Sequence, residues 1–301
     1  MKEKKFDSVL EKNCAVRRYT EITMPHSSLI KIKKISEAPY RGMVIVDSPL
    51  DHFMQNNGNP SELFLHNTNF LKSSISTRTA LLEMNRPGQP NGPETVFGKE
   101  FHYKNYFHSF KPLFRRHRTQ ILWRNSWHLL NCGVNVPEPC GYLLKFKGLS
   151  CRGGYFFSKA LSGCDNLGTL ALNFKNINHR LEFGGLIEAL AKAVASLHDS
   201  RVLHGDLKWS NIMIHQKKNK LWFIDLDSAK LCSKTPGPDR IARDVARFVL
   251  NGQEVGVDES IIERFLDAYA RYRNLTRASL DKPVTSALKK LREKHKKKYR
   301  R

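Results

Sequence analysis

The segment His204-Gly205-Asp206-Leu207-Lys208-Trp209-Ser210-Asn211 puts a carboxylate, an ammonium and a carboxamide on one short stretch. Ile224-Asp225-Leu226-Asp227 then adds a second carboxylate at the end of an apolar run. Groups of these types in this order suit phosphoryl transfer from ATP to a hydroxyl. Asp206 would accept or orient the proton of the attacking hydroxyl. Lys208, two residues on, would lie beside the transferring phosphoryl group and offset its charge. Asn211 and Asp225 would offer oxygens to Mg2+, which prefers carboxylate, amide and phosphate oxygens to nitrogen or sulfur. A charged surface loop beside an ordinary hairpin accounts for one Asp, but not for four such groups framed by apolar strands.

These groups need elements to hold them. Ile212-Met213-Ile214 and Leu221-Trp222-Phe223-Ile224 flank the polar run 216–220, which reads as two short buried strands around a turn. Such a hairpin brings Asn211 and Asp225 to the same end. Phe183 to His198 is an apolar-periodic helix that stops just before the polar loop, and further helices are expected over 241–250 and 260–272. Upstream, strands are expected at 42–46, through Phe70 to Met84, at 95–101, at 141–146 and at 155–159. The run 55–60 is a loop by composition. Thr119 to Cys132 reads as a helix with Ile121, Leu122, Trp127, Leu129 and Leu130 facing the core and Gly133 just past its end. Lys99, near the end of an apolar strand and ahead of that helix, would bind the α- and β-phosphates of ATP. The segment 157–161 falls where a hinge between two lobes would meet the adenine edge. The expected fold class is α+β: a two-lobed protein-kinase-like fold with a reduced C-terminal lobe. Its parts are a basic N-terminal extension over 1–40, an N-lobe over 41–158, a C-lobe over 159–280 and a basic C-terminal tail over 281–301.

The chain has 301 residues, enough for one two-lobed domain, and a hydrophobic fraction of 40% that is ordinary for a globular protein. Its net charge of +23 is not ordinary, and it implies attraction to polyanions: nucleic acid, acidic lipid surfaces or phosphorylated glycans. Part of that charge sits between Lys289 and Arg301, where Glu293 is the only acid. The six cysteines form no Cys-x-x-Cys pair and have no His at zinc-ligand spacing, so most read as small buried residues in a reducing compartment. No apolar run approaches the roughly 20 residues of a membrane span, and the N-terminal residues lack the apolar core of a signal peptide. A cytoplasmic protein is expected, at or near the inner face of the cell membrane.

In its dispersed landmarks the chain resembles the bacterial lipopolysaccharide-core kinases, relatives of the protein kinases that phosphorylate heptose or Kdo sugars. The match runs from about Gly42 to Tyr272. It includes Leu71-Lys72-x-Ser74-x-Ser76-Thr77-Arg78, the Lys99 strand, Trp123-Arg124-Asn125, Val134-x-Val136-Pro137-x-Pro139, Leu197-His198, the two acidic motifs and Arg243-Asp244-Val245-Ala246-Arg247. The resemblance implies ATP and Mg2+ as cofactors and a lipopolysaccharide core glycan as acceptor, with no nucleic-acid partner. It also implies that His204 and Asp244 support the catalytic loop.

Two departures stand out. There is no Gly-x-Gly-x-x-Gly loop, so Ser73, Ser74, Ser76 and Thr77 are the candidates for cradling phosphate through backbone amides. The helix after Lys99 has no Glu to pair with it; Leu122 sits where an acid is expected, and Gln120 is a poor substitute. Gly205 stands where many protein kinases have an Arg, no Ala-Pro-Glu follows Asp225, and only 57 residues follow Asp244. A lobe so reduced suits a glycan acceptor better than a folded protein. The rival readings are a compact atypical protein kinase of the Bud or RIO type, an aminoglycoside or choline phosphotransferase, and a pseudokinase binding module.

Overall fold

The computed structural model describes residues 19–23, 29–65, 70–74, 76–85, 92–103, 116–174 and 183–299. The chain divides into two compact units. The first comprises residues up to Asn131 together with Pro137–Leu161, and the second Cys132–Val136 with Ser162 onward.

The first unit is an eight-stranded antiparallel sheet. Its strands in chain order are β1 (Tyr19–Thr23), β2 (Leu29–Ile35), β3 (Tyr40–Ile45), β4 (Phe70–Ser73), β5 (Thr77–Met84), β6 (Glu94–His102), β7 (Pro139–Lys147) and β8 (Ser150–Lys159). Across the sheet they run β1-β2-β3-β7-β8-β6-β5-β4. Successive side chains on a strand point to opposite faces, and here both faces are covered. Helices α1 (Pro49–Gln55) and α2 (Pro60–Leu65) cover one. Leu50, Met54 and Phe64 enter a core with Leu82, Leu143, Tyr155 and Phe157. Gly98 makes the close approach of α2 possible, because a Cβ there would lie 2.9 Å from the Phe64 ring and 2.6 Å from Leu82. Helix α3 (Arg118–Asn131) lies on the other face, with the Trp123 ring 5.7 Å from that of Tyr142.

The second unit is mainly helical. Its elements are β9 (Asp165–Asn166), α4 (Leu167–Phe174), α5 (Phe183–Asp199), β10 (Val202–Leu203), β11 (Ile212–His215), β12 (Lys220–Phe223), β13 (Lys230–Leu231), α6 (Pro238–Glu254), α7 (Glu259–Tyr272) and α8 (Arg277–Tyr299). Strands β12-β11-β9 form one small sheet and β10-β13 a two-stranded ribbon. The apolar faces of α5, α6 and α7 bury Leu190, Val194, Phe248, Phe265 and Tyr269. Phe248 bridges Phe265 (4.6 Å between centroids) and Trp209 (5.0 Å), tying the helices to the polar loop. Pro238 opens α6 at a position where a missing N–H costs nothing, and the Asp258 side chain caps α7 through the Ser260 amide. No helix among the described residues is long and apolar enough to cross a membrane.

Three expectations need correction. Residues 19–35 are not a plain extension, since β1 and β2 complete the sheet and Ile32 and Ile35 are buried; residues 1–18 lie outside the described residues. The loop expected over 55–60 is confined to 56–59: Gln55 ends α1, which is capped by Ser48, whose hydroxyl accepts the Asp51 amide, and Pro60 opens α2. The basic C-terminal stretch is helical to Tyr299, and Leu280, Val284 and Ala287 bury one side of α8. Its apolar positions are sparse among lysines, so charge masked the period.

Candidate active site

The polar loop hangs on a single carboxylate. Asp244, on α6, is 2% exposed and accepts the backbone amides of His204 at 2.6 Å and Gly205 at 3.0 Å. Burial alone would raise its carboxyl, but His198, His204 and the Gly205 amide outweigh that and hold it below the usual carboxylate range. His198 Nε2 lies 3.7 Å from Asp244, an ion-pair distance beyond hydrogen-bonding range, while its Nδ1 meets the Tyr269 hydroxyl at 2.7 Å. Burial pushes the His204 imidazole below its ordinary value, against the pull of Asp244. A neutral ring with its proton on Nε2 fits, because Nε2 lies 3.1 Å from the Ile224 carbonyl. His204 and Asp244 thus meet at the start of the polar loop.

Gly205 carries a requirement that its sequence position did not reveal. It has φ of +78°, and a Cβ would lie 2.5 Å from the Ser228 carbonyl oxygen. An Arg at this position has no room. Asn251 is a second residue that sequence reasoning missed: its Oδ1 accepts the Trp209 amide at 3.0 Å, about two turns beyond Asp244 on the same helix. The signal was an Asn at helical spacing from the Asp, which no local motif marks.

Downstream of this anchor the predicted groups come together. Lys208 Nζ lies 2.8 Å from Asp206 Oδ2. The Asn211 amide nitrogen donates to the Asp206 carbonyl at 2.8 Å and approaches its carboxylate at 3.4 Å. The nitrogen of Asn211 is therefore spent inside the loop, and its Oδ1 is the oxygen left to serve as a ligand. Strands β11 and β12 pair from Ile212–Phe223 to His215–Lys220, and the Ile224 amide donates to the Asn211 carbonyl at 3.0 Å. That register sets Asp225 beside Asn211. Asp225 is exposed and left-handed (φ 59°, ψ 52°), a conformation that Asp tolerates better than most residues. The Phe223 amide donates to the Asn135 carbonyl, so the segment 132–136 belongs with this unit.

In the sheet unit, Lys99 lies on β6 between Thr79 and Phe156 and is 9% exposed, with its ammonium 5.3 Å from the Phe101 ring centroid. Helix α3 holds no acid at all. Gln120 has other work. Its side-chain oxygen accepts the His117 amide at 2.9 Å, and His117 Nδ1 accepts the Thr119 amide at 3.1 Å, a reciprocal cap on the N-terminus of α3. The phosphate cradle expected at Ser73, Ser74, Ser76 and Thr77 is also partly spent. The Ser74 amide donates to the Thr77 carbonyl at 2.8 Å, and the Thr77 amide to the Ser74 hydroxyl at 3.1 Å. Ser73 pairs with Arg78 across β4 and β5, and the Ser76 carbonyl accepts the His102 amide. A tight turn satisfies its own backbone, so two of these amides are not free to meet phosphate. The five cysteines among the described residues are free thiols, but against expectation only Cys140 and Cys151 are buried; Cys132 is exposed and Cys164 and Cys232 are half-buried.

Three comparisons bear on identity. No curated protein matches the sequence significantly. Among solved structures, a chain described as "WaaP in complex with acyl carrier protein" superposes with a TM-score of 0.61 over 84% of this chain and 98% of that one, at 17% identity. At that identity the likeness speaks for the fold, which is the two-lobed protein-kinase-like one. A model of the lipopolysaccharide kinase (Kdo/WaaP) family matches residues 101–269, which span α3, the Asp244-anchored loop and the β11–β12 hairpin. The chain belongs to the lipopolysaccharide kinase (Kdo/WaaP) family and is a phosphotransferase.

Proposed function

We propose that the protein transfers the γ-phosphoryl group of ATP, with Mg2+, to a sugar hydroxyl of the lipopolysaccharide inner core. The observation that carries this reading is the grip of the Asp244 carboxylate on the His204 and Gly205 amides. It fixes the loop from which Asp206, Lys208 and Asn211 project, and pre-set geometry is most of what phosphoryl transfer asks of a protein. In this reading Asp206 orients the acceptor hydroxyl and takes its proton. Lys208, already paired with Asp206 at 2.8 Å, offsets charge on the transferring group. Lys99 holds the α- and β-phosphates.

Asn211 Oδ1 and the Asp225 carboxylate form an oxygen-only donor pair, which fits Mg2+. Among the described residues no group of three or more His, Cys, Asp or Glu could hold a metal by itself. Magnesium sites of this kind are completed by nucleotide phosphate oxygens. The ion, when bound, would neutralise charge on those oxygens.

The acceptor side rests on the family and on charge. A net charge of +23 favours a phosphorylated glycan and an acidic membrane surface, so we place the protein at the cytoplasmic face of the inner membrane. The test is incubation with ATP and Mg2+ and, in separate reactions, delipidated core oligosaccharide or a Ser/Thr-rich protein acceptor. A gain of one phosphate on the oligosaccharide, located by 31P NMR at a sugar hydroxyl, is the expected result. Phosphate on the protein acceptor alone would replace this reading with that of a compact protein kinase.

A further inference from the structure

The sheet unit contains a pocket that the proposed chemistry does not use. It measures about 470 Å³ and lies where the ends of β6, β7 and β8 meet α2. Lys99 and Glu100 are neighbours on β6 and therefore face opposite ways. Glu100, paired across the sheet with Arg78 and Tyr155, lines this pocket. The pocket thus sits on the other face of the sheet from the lysine assigned to ATP.

Its charge is one-sided. Arg78, Lys145, Lys147 and Arg152 line it against a single carboxylate, Glu100. That carboxylate is 3% exposed and already engaged: Arg78 donates to it from Nε at 2.8 Å, and His102 Nε2 lies 3.1 Å away. It cannot also neutralise the lysines. Lys145 donates to a hydroxyl, that of Ser61, at 2.8 Å, and Ser61 in turn meets the Tyr155 hydroxyl at 2.8 Å. This chain from Lys145 to a buried tyrosine fixes the ammonium at the pocket wall. Lys147, two residues on, is exposed on the same side of β7. A concave site with low-dielectric walls and several fixed cations focuses positive potential. Its volume suits a small ligand of sugar size.

We infer that this pocket is a second, non-catalytic anion site that takes a phosphate monoester carried on a sugar. That the sugar belongs to the acceptor glycan rests on the proposed function; that the pocket binds an oxyanion does not. The two sources of the phosphate group, a glycan or free phosphate, are separated by the probe. Isothermal titration at fixed ionic strength with glucose 6-phosphate, inorganic phosphate and glucose compares the full-length protein with five variants. Lys145→Ala/Lys147→Ala should weaken glucose 6-phosphate binding about ten-fold, while Lys145→Arg/Lys147→Arg keeps it within about two-fold. Asp206→Asn should bind as the parent does, which separates this site from the catalytic reading. Lys147→Ala alone changes an exposed residue and should still weaken binding, so a misfolded double variant leaves the test intact. Undiminished binding by the alanine variants, equal binding of glucose, or an equal loss on Lys289→Ala/Lys290→Ala in α8 would overturn the assignment. Equal affinity for inorganic phosphate would overturn its sugar component.

Discussion

The Asp244 carboxylate and the His204 amide, forty residues apart in sequence, meet at 2.6 Å in an interior from which water is excluded. The carboxylate takes the Gly205 amide as well, so two donors that no strand or helix satisfies are held by one side chain. Buried backbone donors must find partners, and this one acceptor therefore sets the course of the chain into Asp206.

Removing the anchor should cost stability as well as activity. Asp244→Ala leaves the two amides without their charged acceptor, a loss of about 3 kcal/mol. Urea unfolding followed by tryptophan fluorescence should show that drop. Unchanged stability would mean that the loop finds its amide partners elsewhere.

Gly205→Ala should act through the backbone. The added Cβ meets the Ser228 carbonyl oxygen at 2.5 Å at a φ of +78°. The strain and displacement should cost roughly 1–3 kcal/mol and lower turnover more than they raise KM for ATP. A variant with parental stability and turnover would show that the glycine is incidental.

Acid should loosen the start of α3. Burial, aided by the neighbouring Arg118 charge, lowers the His117 imidazole to about 4. The neutral ring accepts the Thr119 amide through Nδ1, and protonation would abolish that cap. The unfolded chain takes up its proton near pH 6.5, before the folded one does. His117 thus contributes no loss above that pH, and stability falls as the pH drops from about 6.5 to about 4, by about 3 kcal/mol in all. In His117→Asn, which can still cap but does not titrate, the pH dependence of stability over this window should be shallower. An identical slope in both proteins would remove His117 as its source.

The C-terminal helix should serve association, not chemistry. Arg292 reaches the Gln253 side chain at 2.8 Å and His295 approaches Glu254 at 3.3 Å, so α8 rests on α6 while most of its lysines remain exposed. Surface charges are screened beyond roughly 8 Å at physiological salt. Deleting residues 289–301 should weaken binding to anionic vesicles in low salt and leave turnover on a soluble oligosaccharide nearly unchanged. Equal vesicle binding by both forms would assign the charge no membrane role.

The Asp244-anchored loop and its hairpin were legible as structure because their information is local. Asp206, Lys208, Asn211 and Asp225 lie within twenty residues, framed by apolar runs whose length and alternation set the register. The supporting contacts were less so. Asn251, and the cap that His117 forms with Gln120, act through single hydrogen bonds that no periodicity announces. Strand β2 does alternate, with Ile32 buried between exposed Lys31 and half-buried Lys33, yet its three lysines read as a solvated arm. The serine turn misled for the opposite reason. Short side chains permit close approach to phosphate, but they also let the turn satisfy its own amides.

The most direct test of the proposed reaction is a single-turnover measurement with γ-labelled ATP, Mg2+ and core oligosaccharide, comparing the parent protein with Asp206→Asn. Loss of the group that orients the hydroxyl should reduce label transfer by at least about a hundred-fold, while nucleotide affinity, measured in parallel with a fluorescent ATP analogue, stays within about two-fold. Label transferred to the oligosaccharide by Asp206→Asn at the parental rate would contradict the assignment of this loop as the catalytic centre.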